Sequence, residues 1–218
     1  KPGEIILTTG IHGLSKLGFL MQNKINFDNK FSLNERLIIK SIEHFCRPRV
    51  YPNFVNNLLK TRSNKNNFDN NISLTKRLIR KSVEHFCRPK VYSHFLKNLL
   101  KTRSNKKIRK IGCTDSSDGL FQALQDLAIA SKCKAILIYE KIPKDKDWPK
   151  SDKWDEYYLF GGEDYELIFS LPKKWAMNLS KIDKNIREIG YFAKGKPSVE
   201  FRDNNKNKLL KNIPFKHF

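Results

Sequence analysis

Lys110-Ile111-Gly112-Cys113-Thr114-Asp115-Ser116-Ser117-Asp118-Gly119-Leu120 is the stretch that decides the fold. Its first five residues read as a buried strand, and the acid- and serine-rich turn then hands over to a helix with Leu120, Leu124, Leu127 and Ala128 on one face. Upstream, Glu4–Thr9 is a short β-branched run punctuated by Gly10, Gly13 and Gly18. Downstream, Ala135–Tyr139 reads as a strand and Lys144–Trp154 as a charged loop. Two apolar runs, Tyr157–Phe160 and Tyr165–Phe169, flank Gly161-Gly162-Glu163-Asp164. A helix around Trp175–Leu179 and strands near Ile186–Phe192 and Ser198–Phe201 follow. Helices and strands interleave, which predicts an α/β (α+β) fold with a mixed sheet and helices on one face.

Hydrophobic residues make up 39% of the 218, with 15 Phe and 7 Tyr, enough for a core and against global disorder. No apolar run approaches the ~20 residues of a membrane helix. Cys46, Cys87, Cys113 and Cys133 show no disulfide-framework spacing, which suits a reduced cytoplasm. The formal charge of +21 raises the question of a nucleic-acid partner. Residues 27–108 hold 19 of the basic and 5 of the acidic residues, so two thirds of the excess lies in that one segment.

That segment is a tandem duplication. Phe27–Lys65 reappears as Phe68–Lys106, with 28 of 39 positions identical. Two near-identical copies without a degenerate third point to a recent duplication (27–67 and 68–108) rather than a solenoid. Each copy reads as two helices. In the first, Ser32-Leu33-Asn34-Glu35 is a capping box; in the second, Lys76 replaces Glu35 and Arg80 replaces Ile39. One copy is therefore expected to pack in the domain and the other to bulge outward, the second being the one displaced. His44/Cys46 and His85/Cys87 do not have zinc spacing, and the duplication accounts for the pairs.

Two acidic constellations carry chemistry. Asp115-Ser116-Ser117-Asp118-Gly119 opens a helix, where free amides and the positive dipole end suit a phosphate and carboxylates suit Mg²⁺. The plain alternative makes Asp118 an N-cap and Asp115 a turn residue. In Gly161-Gly162-Glu163-Asp164-Tyr165-Glu166-Leu167 a glycine pair lets the chain turn sharply and present Glu163; the alternative is an ordinary hairpin.

Together and in this order, the two patterns resemble thiamine-monophosphate kinase, of the aminoimidazole-ribonucleotide synthetase and selenophosphate synthetase superfamily. Pro2-Gly3-Glu4, Thr8-Thr9-Gly10, the Arg-Pro pair and Phe215-Lys216-His217-Phe218 are similar to further family landmarks. The resemblance covers residues 1–218 as one C-terminal-type domain, apart from one repeat copy. It implies ATP- and Mg²⁺-dependent phosphorylation of thiamine monophosphate, with Asp115 and Asp118 as metal ligands and Ser117 contacting the nucleotide. Glu163 and Phe215 would contact the substrate. Ser116 replaces an apolar family residue, which is expected to weaken the strand's grip on the core. The family's N-terminal half, with most metal ligands and a homodimer interface, is missing. The chain is therefore expected to be part of a longer cytoplasmic protein and inactive alone. A non-enzymatic remnant, its basic repeat binding nucleic acid or a protein, is the alternative.

Overall fold

A computed structural model describes residues 1–22, 75–87, 94–103, 111–146, 148, 152–203 and 206–209. The first repeat copy, both Arg-Pro pairs and Phe215 lie outside the described residues. Among the described residues seven strands form one sheet: β1 Ile5–Thr8, β2 Gly112–Asp115, β3 Lys134–Ile138, β4 Leu167–Leu171, β5 Arg187–Ala193, β6 Ser198–Asp203 and β7 Lys206–Leu209. Their order is β2-β4-β1-β5-β3-β6-β7. The β3–β6 pair is parallel, and the remaining pairs are antiparallel, so the sheet is mixed as expected.

The helices are α1 Leu14–Gln22, α2 Lys76–Cys87, α3 Phe95–Lys101, α4 Leu120–Ser131, α5 Asp152–Phe160 and α6 Lys173–Ile182. On one face of the sheet, Ile6, Ile168 and Ile189 join a core with Leu14, Leu78, Leu124 and Tyr158 of α1, α2, α4 and α5. The expectation of helices on one face describes this larger layer only. A second cluster sets Leu7, Phe169 and Leu171 against Leu99 of α3 and Trp175 and Leu179 of α6. The reason lies in β1 and β4, whose consecutive apolar residues leave both sides needing cover. The apolar run Tyr157–Phe160 closes α5 rather than forming a strand.

The second repeat copy is packed, not displaced. Leu78, Ile79, Ser82 and His85 of α2 are buried, and α2 lies along α1. Arg80, read in the sequence as a sign of relaxed demand, sits at an exposed position where a charge is at home. The lost capping box has a substitute as well. Thr75 Oγ1 accepts from the Leu78 N–H at 3.2 Å, capping α2 two residues after the expected serine. Arg77 and Lys81 both reach Asp145, a carboxylate only 5% exposed, and tie the helix to the loop after β3.

Among the described residues no helix is long and apolar enough to cross a membrane. Because Leu78 is wholly buried, Leu78→Ala is expected to cost about 2–5 kcal/mol through lost burial and the cavity left behind. Arg80→Ala, on the water face of the same helix, should stay within about 0.5 kcal/mol of the parent. Urea unfolding of both variants checks the pair.

Candidate functional site

The two acidic motifs, far apart in sequence, are brought side by side by the pairing of β2 with β4. Asp115 stands opposite Leu167, so the turn leaving β2 lies against the turn entering β4. Two hydrogen bonds fasten them: the Glu163 N–H donates to Ser117 O at 2.7 Å, and the Glu166 N–H donates to Ser116 Oγ at 3.1 Å. Ser116 is fully buried, and its hydroxyl pins the two turns together. The expectation that serine weakens the grip of this strand is thereby corrected.

Within the first turn, Asp115 Oδ1 accepts from the Ser117 N–H at 3.1 Å and from the Ser117 hydroxyl at 2.8 Å. The turn-residue reading of Asp115 is thus fulfilled, while its Oδ2 remains as a second acceptor. Asp118 is not the N-cap. That position belongs to Gly119, at φ +94, with no side-chain hydrogen bond to the first turn of α4. A side chain at Gly119 would press on the backbone of Phe160 and Gly161, both about 3.2 Å from its Cβ. Asp115 and Asp118 are exposed, and Ser117 is half-buried beside them.

The second turn alternates between inside and outside. Asp164 and Glu166 point inward and are buried; Tyr165 is exposed and Glu163 half-buried. Asp164 caps α1, accepting from the Gly13 N–H at 2.6 Å and the Ser15 N–H at 2.9 Å. Glu166 accepts from the Thr9 hydroxyl at 2.6 Å, and Thr9 Oγ1 accepts from the Leu167 N–H at 2.9 Å. Glu163 and Tyr165 both adopt left-handed backbone, φ +66 and +52, at a cost on the order of 1 kcal/mol each. The anchored carboxylates between and beside them hold that strain.

The Tyr165 hydroxyl donates to Glu163 Oε2 at 2.6 Å. This bond, followed by burial and the nearby Glu163, Asp115 and Asp118 carboxylates, pushes its pKa up to about 12. Asp115, Asp118, Glu163 and Tyr165 therefore share one electronegative mouth. Two exposed carboxylates and a hydroxyl are hard oxygen donors that suit Mg²⁺ as part of a shell. Among the described residues no three His, Cys, Asp or Glu side chains gather to hold a metal ion without help.

The comparisons agree with the sequence patterns. No family model matches the chain. A thiamine-monophosphate kinase of Prochlorococcus marinus is 29% identical over 218 residues, 100% of this chain and 53% of that protein. Another, of Nitrosopumilus maritimus, is 38% identical over 109 residues, 48% of this chain and 34% of that protein. The chain matches the C-terminal half of thiamine-monophosphate kinases. It spans about half the length, or less, of the curated relatives it matches. Among solved structures, AaThiL complexed with AMPPCP and TMP aligns with a TM-score of 0.58 at 19% identity, over 100% of this chain and 52% of that one. The hydrogenase maturation protein HypE of E. coli aligns with a TM-score of 0.54 at 12% identity, over 100% and 51%. At such identities the likeness is one of fold alone.

The structure thus places Asp115, Ser117, Asp118 and Glu163 together, whereas Phe215 lies outside the described residues. Sequence reasoning missed the supports: Thr9, Asp164, Tyr165 and Glu166, with His12 and His85 behind them. The alternation of Glu163, Asp164, Tyr165 and Glu166 was the available signal for the first group.

His12 is wholly buried, with Nε2 2.8 Å from Thr8 Oγ1. Burial holds its pKa down to about 4, overcoming the upward pull of Asp164 and aided by His85. Because the folded value lies below the unfolded 6.5, the unfolded chain takes up the proton first on acidification. The contribution is full above about pH 6.5 and is lost as pH falls toward 4, a loss of ~3 kcal/mol. Denaturant unfolding between pH 7 and 4 should show this decline, and a His12→Leu variant should show a shallower one.

Proposed function

We propose that this chain is the C-terminal part of an ATP- and Mg²⁺-dependent kinase that converts thiamine monophosphate to thiamine diphosphate. The observation that carries the reading is the bond from the Glu163 N–H to Ser117 O, which sets the nucleotide-side and substrate-side motifs against each other at the start of α4. The first-turn amides of α4, whose N-cap is a glycine, lie at the positive end of the helix and favour phosphate oxygens. The Ser117 hydroxyl, donating to Asp115 here, would turn from it to meet a nucleotide phosphate.

Asp115 and Asp118 would hold Mg²⁺, which when bound neutralises charge on the phosphates being transferred. Glu163, oriented by Tyr165, would meet the thiamine moiety. Phe215 would offer its ring face to the cationic thiazolium. Transfer between two phosphorylated substrates needs chiefly positioning and charge stabilisation, so no nucleophile on the protein is required. The remaining acidic ligands and the dimer interface would come from an N-terminal half, and the isolated chain is inactive on this reading.

The test measures thiamine diphosphate formation from ATP and thiamine monophosphate with Mg²⁺, for the chain alone and joined to a family N-terminal half. Only the joined protein should turn over, and robust turnover by the chain alone would contradict the division of ligands. In the joined protein, Asp115→Asn and Asp118→Asn should each lower kcat at least about a hundredfold with the fold intact. Glu163→Gln and Phe215→Ala should raise the KM for thiamine monophosphate more than that for ATP.

A further inference from the structure

The buried carboxylate of Asp164 has a third neighbour besides the two amides of α1. His85 of α2 places Nε2 3.3 Å from Asp164 Oδ1, in ion-pair range though out of line for a hydrogen bond. Oδ1 is the same oxygen that accepts from the Ser15 N–H, while Oδ2 is taken by the Gly13 N–H. The side chain of Asp164 is fully enclosed and that of His85 is 7% exposed. A carboxylate so far from water is held only by what surrounds it. The residues on either side of Asp164 are Glu163 and Tyr165, both in left-handed backbone and hydrogen-bonded to each other. Where Asp164 sits therefore decides where Glu163 points.

We infer that His85 is a positioning residue, through which the docked copy of the duplicated segment aims Glu163 by fixing Asp164. The helix itself does not depend on this contact. Leu78 and Ile79 bury it against the core, and Arg77 and Lys81 hold it to Asp145. Loss of the imidazole should thus loosen the Glu163–Tyr165 turn without releasing α2. His44 occupies the matching place in the first copy, so the sequence alone gives the two histidines equal standing. The structure assigns the role to His85.

The kinetic arm of the test rests on the proposed kinase activity; the exchange arm does not. His85→Ala, His85→Gln, His44→Ala and the double alanine variant are compared in the full chain by amide hydrogen exchange, and in the protein joined to an N-terminal half by kinetics. In His85→Ala the Gly13, Ser15 and Glu163 amides should exchange roughly tenfold faster, while those of β4 and α2 keep their parent rates. The KM for thiamine monophosphate should rise about tenfold, the loss of one hydrogen-bond-sized interaction, with the KM for ATP unchanged. His85→Gln, which keeps a donor at the same reach, should recover most of the loss, and His44→Ala should match the parent. A silent His85→Ala with a deficient double variant would uphold the positioning role and show that His44 can replace His85. Unchanged turn amides in both His85→Ala and the double variant would overturn the inference. So would equal losses in His44→Ala and His85→Ala, or exchange that accelerates throughout α2. If the turn loosens as expected but no joined protein makes thiamine diphosphate, the kinase reading fails and this one stands.

Discussion

A carboxylate shut away from water constrains this molecule more than any other group. Asp164 cannot be left unpaired in the interior, where an isolated charge costs at least several kcal/mol, a large share of the stability of a domain. Its two oxygens take the orphan amides at the start of α1, so each group cancels the other's penalty. That exchange locks the turn between α5 and β4 onto the turn after β1. It also leaves no freedom for the chain on either side, and the strained backbone of Glu163 and Tyr165 follows. Glu166 repeats the arrangement a step later, with Thr9 as its partner. The acids that face outward are therefore aimed by the acids that face inward.

The same logic divides what could be read from the sequence from what could not. The pattern of the strands was legible because β1, β3 and β4 are short apolar runs bounded by turn residues, and α4 because Leu120, Leu124 and Leu127 recur at helical spacing. The acidic mouth was legible because the two motifs occur together and in order, whereas each alone also reads as an ordinary turn. The second helical layer was not, since continuous apolar strands do not announce which elements cover them. Nor were Asp164 and Glu166 separable from Glu163, for in sequence an inward and an outward carboxylate look alike. Only partners 149 to 158 residues away tell them apart.

Ser116 shows a local rule yielding to a tertiary one. A hydroxyl in place of an apolar side chain reads as a weaker strand end, and it would be one if the position faced only the core. Here it meets the Glu166 N–H, which would otherwise be buried without an acceptor. An apolar residue in its place would have to leave that amide to another partner, at a cost of about 1–3 kcal/mol if none were found.

The duplication poses a sharper question, because two nearly identical stretches of sequence could fill one groove beside α1. Chain entropy does not choose between them. Docking either copy leaves the same 41 surplus residues on one side or the other, and closure cost varies only slowly with loop length. The inward-facing residues do not choose either. Leu78, Ile79, Ser82 and His85 are matched by Leu37, Ile38, Ser41 and His44, and Phe95 and Leu99 of α3 by Phe54 and Leu58. Even the cations that reach Asp145, Arg77 and Lys81, have counterparts in Arg36 and Lys40. The copies differ on the outer surface instead. Position 80 is exposed in the docked helix, where the second copy presents Arg80 to water and the first would present Ile39. Position 97, also exposed, carries Lys97 rather than Asn56. Substitutions at such positions are usually worth within about 0.5 kcal/mol each, small beside the burial of Leu78 and Ile79. What the described copy has of its own is therefore its cap and its outer face, Thr75 for Asn34, Arg80 for Ile39 and Lys97 for Asn56, while the shared inward residues would bring a histidine to Asp164 from either copy.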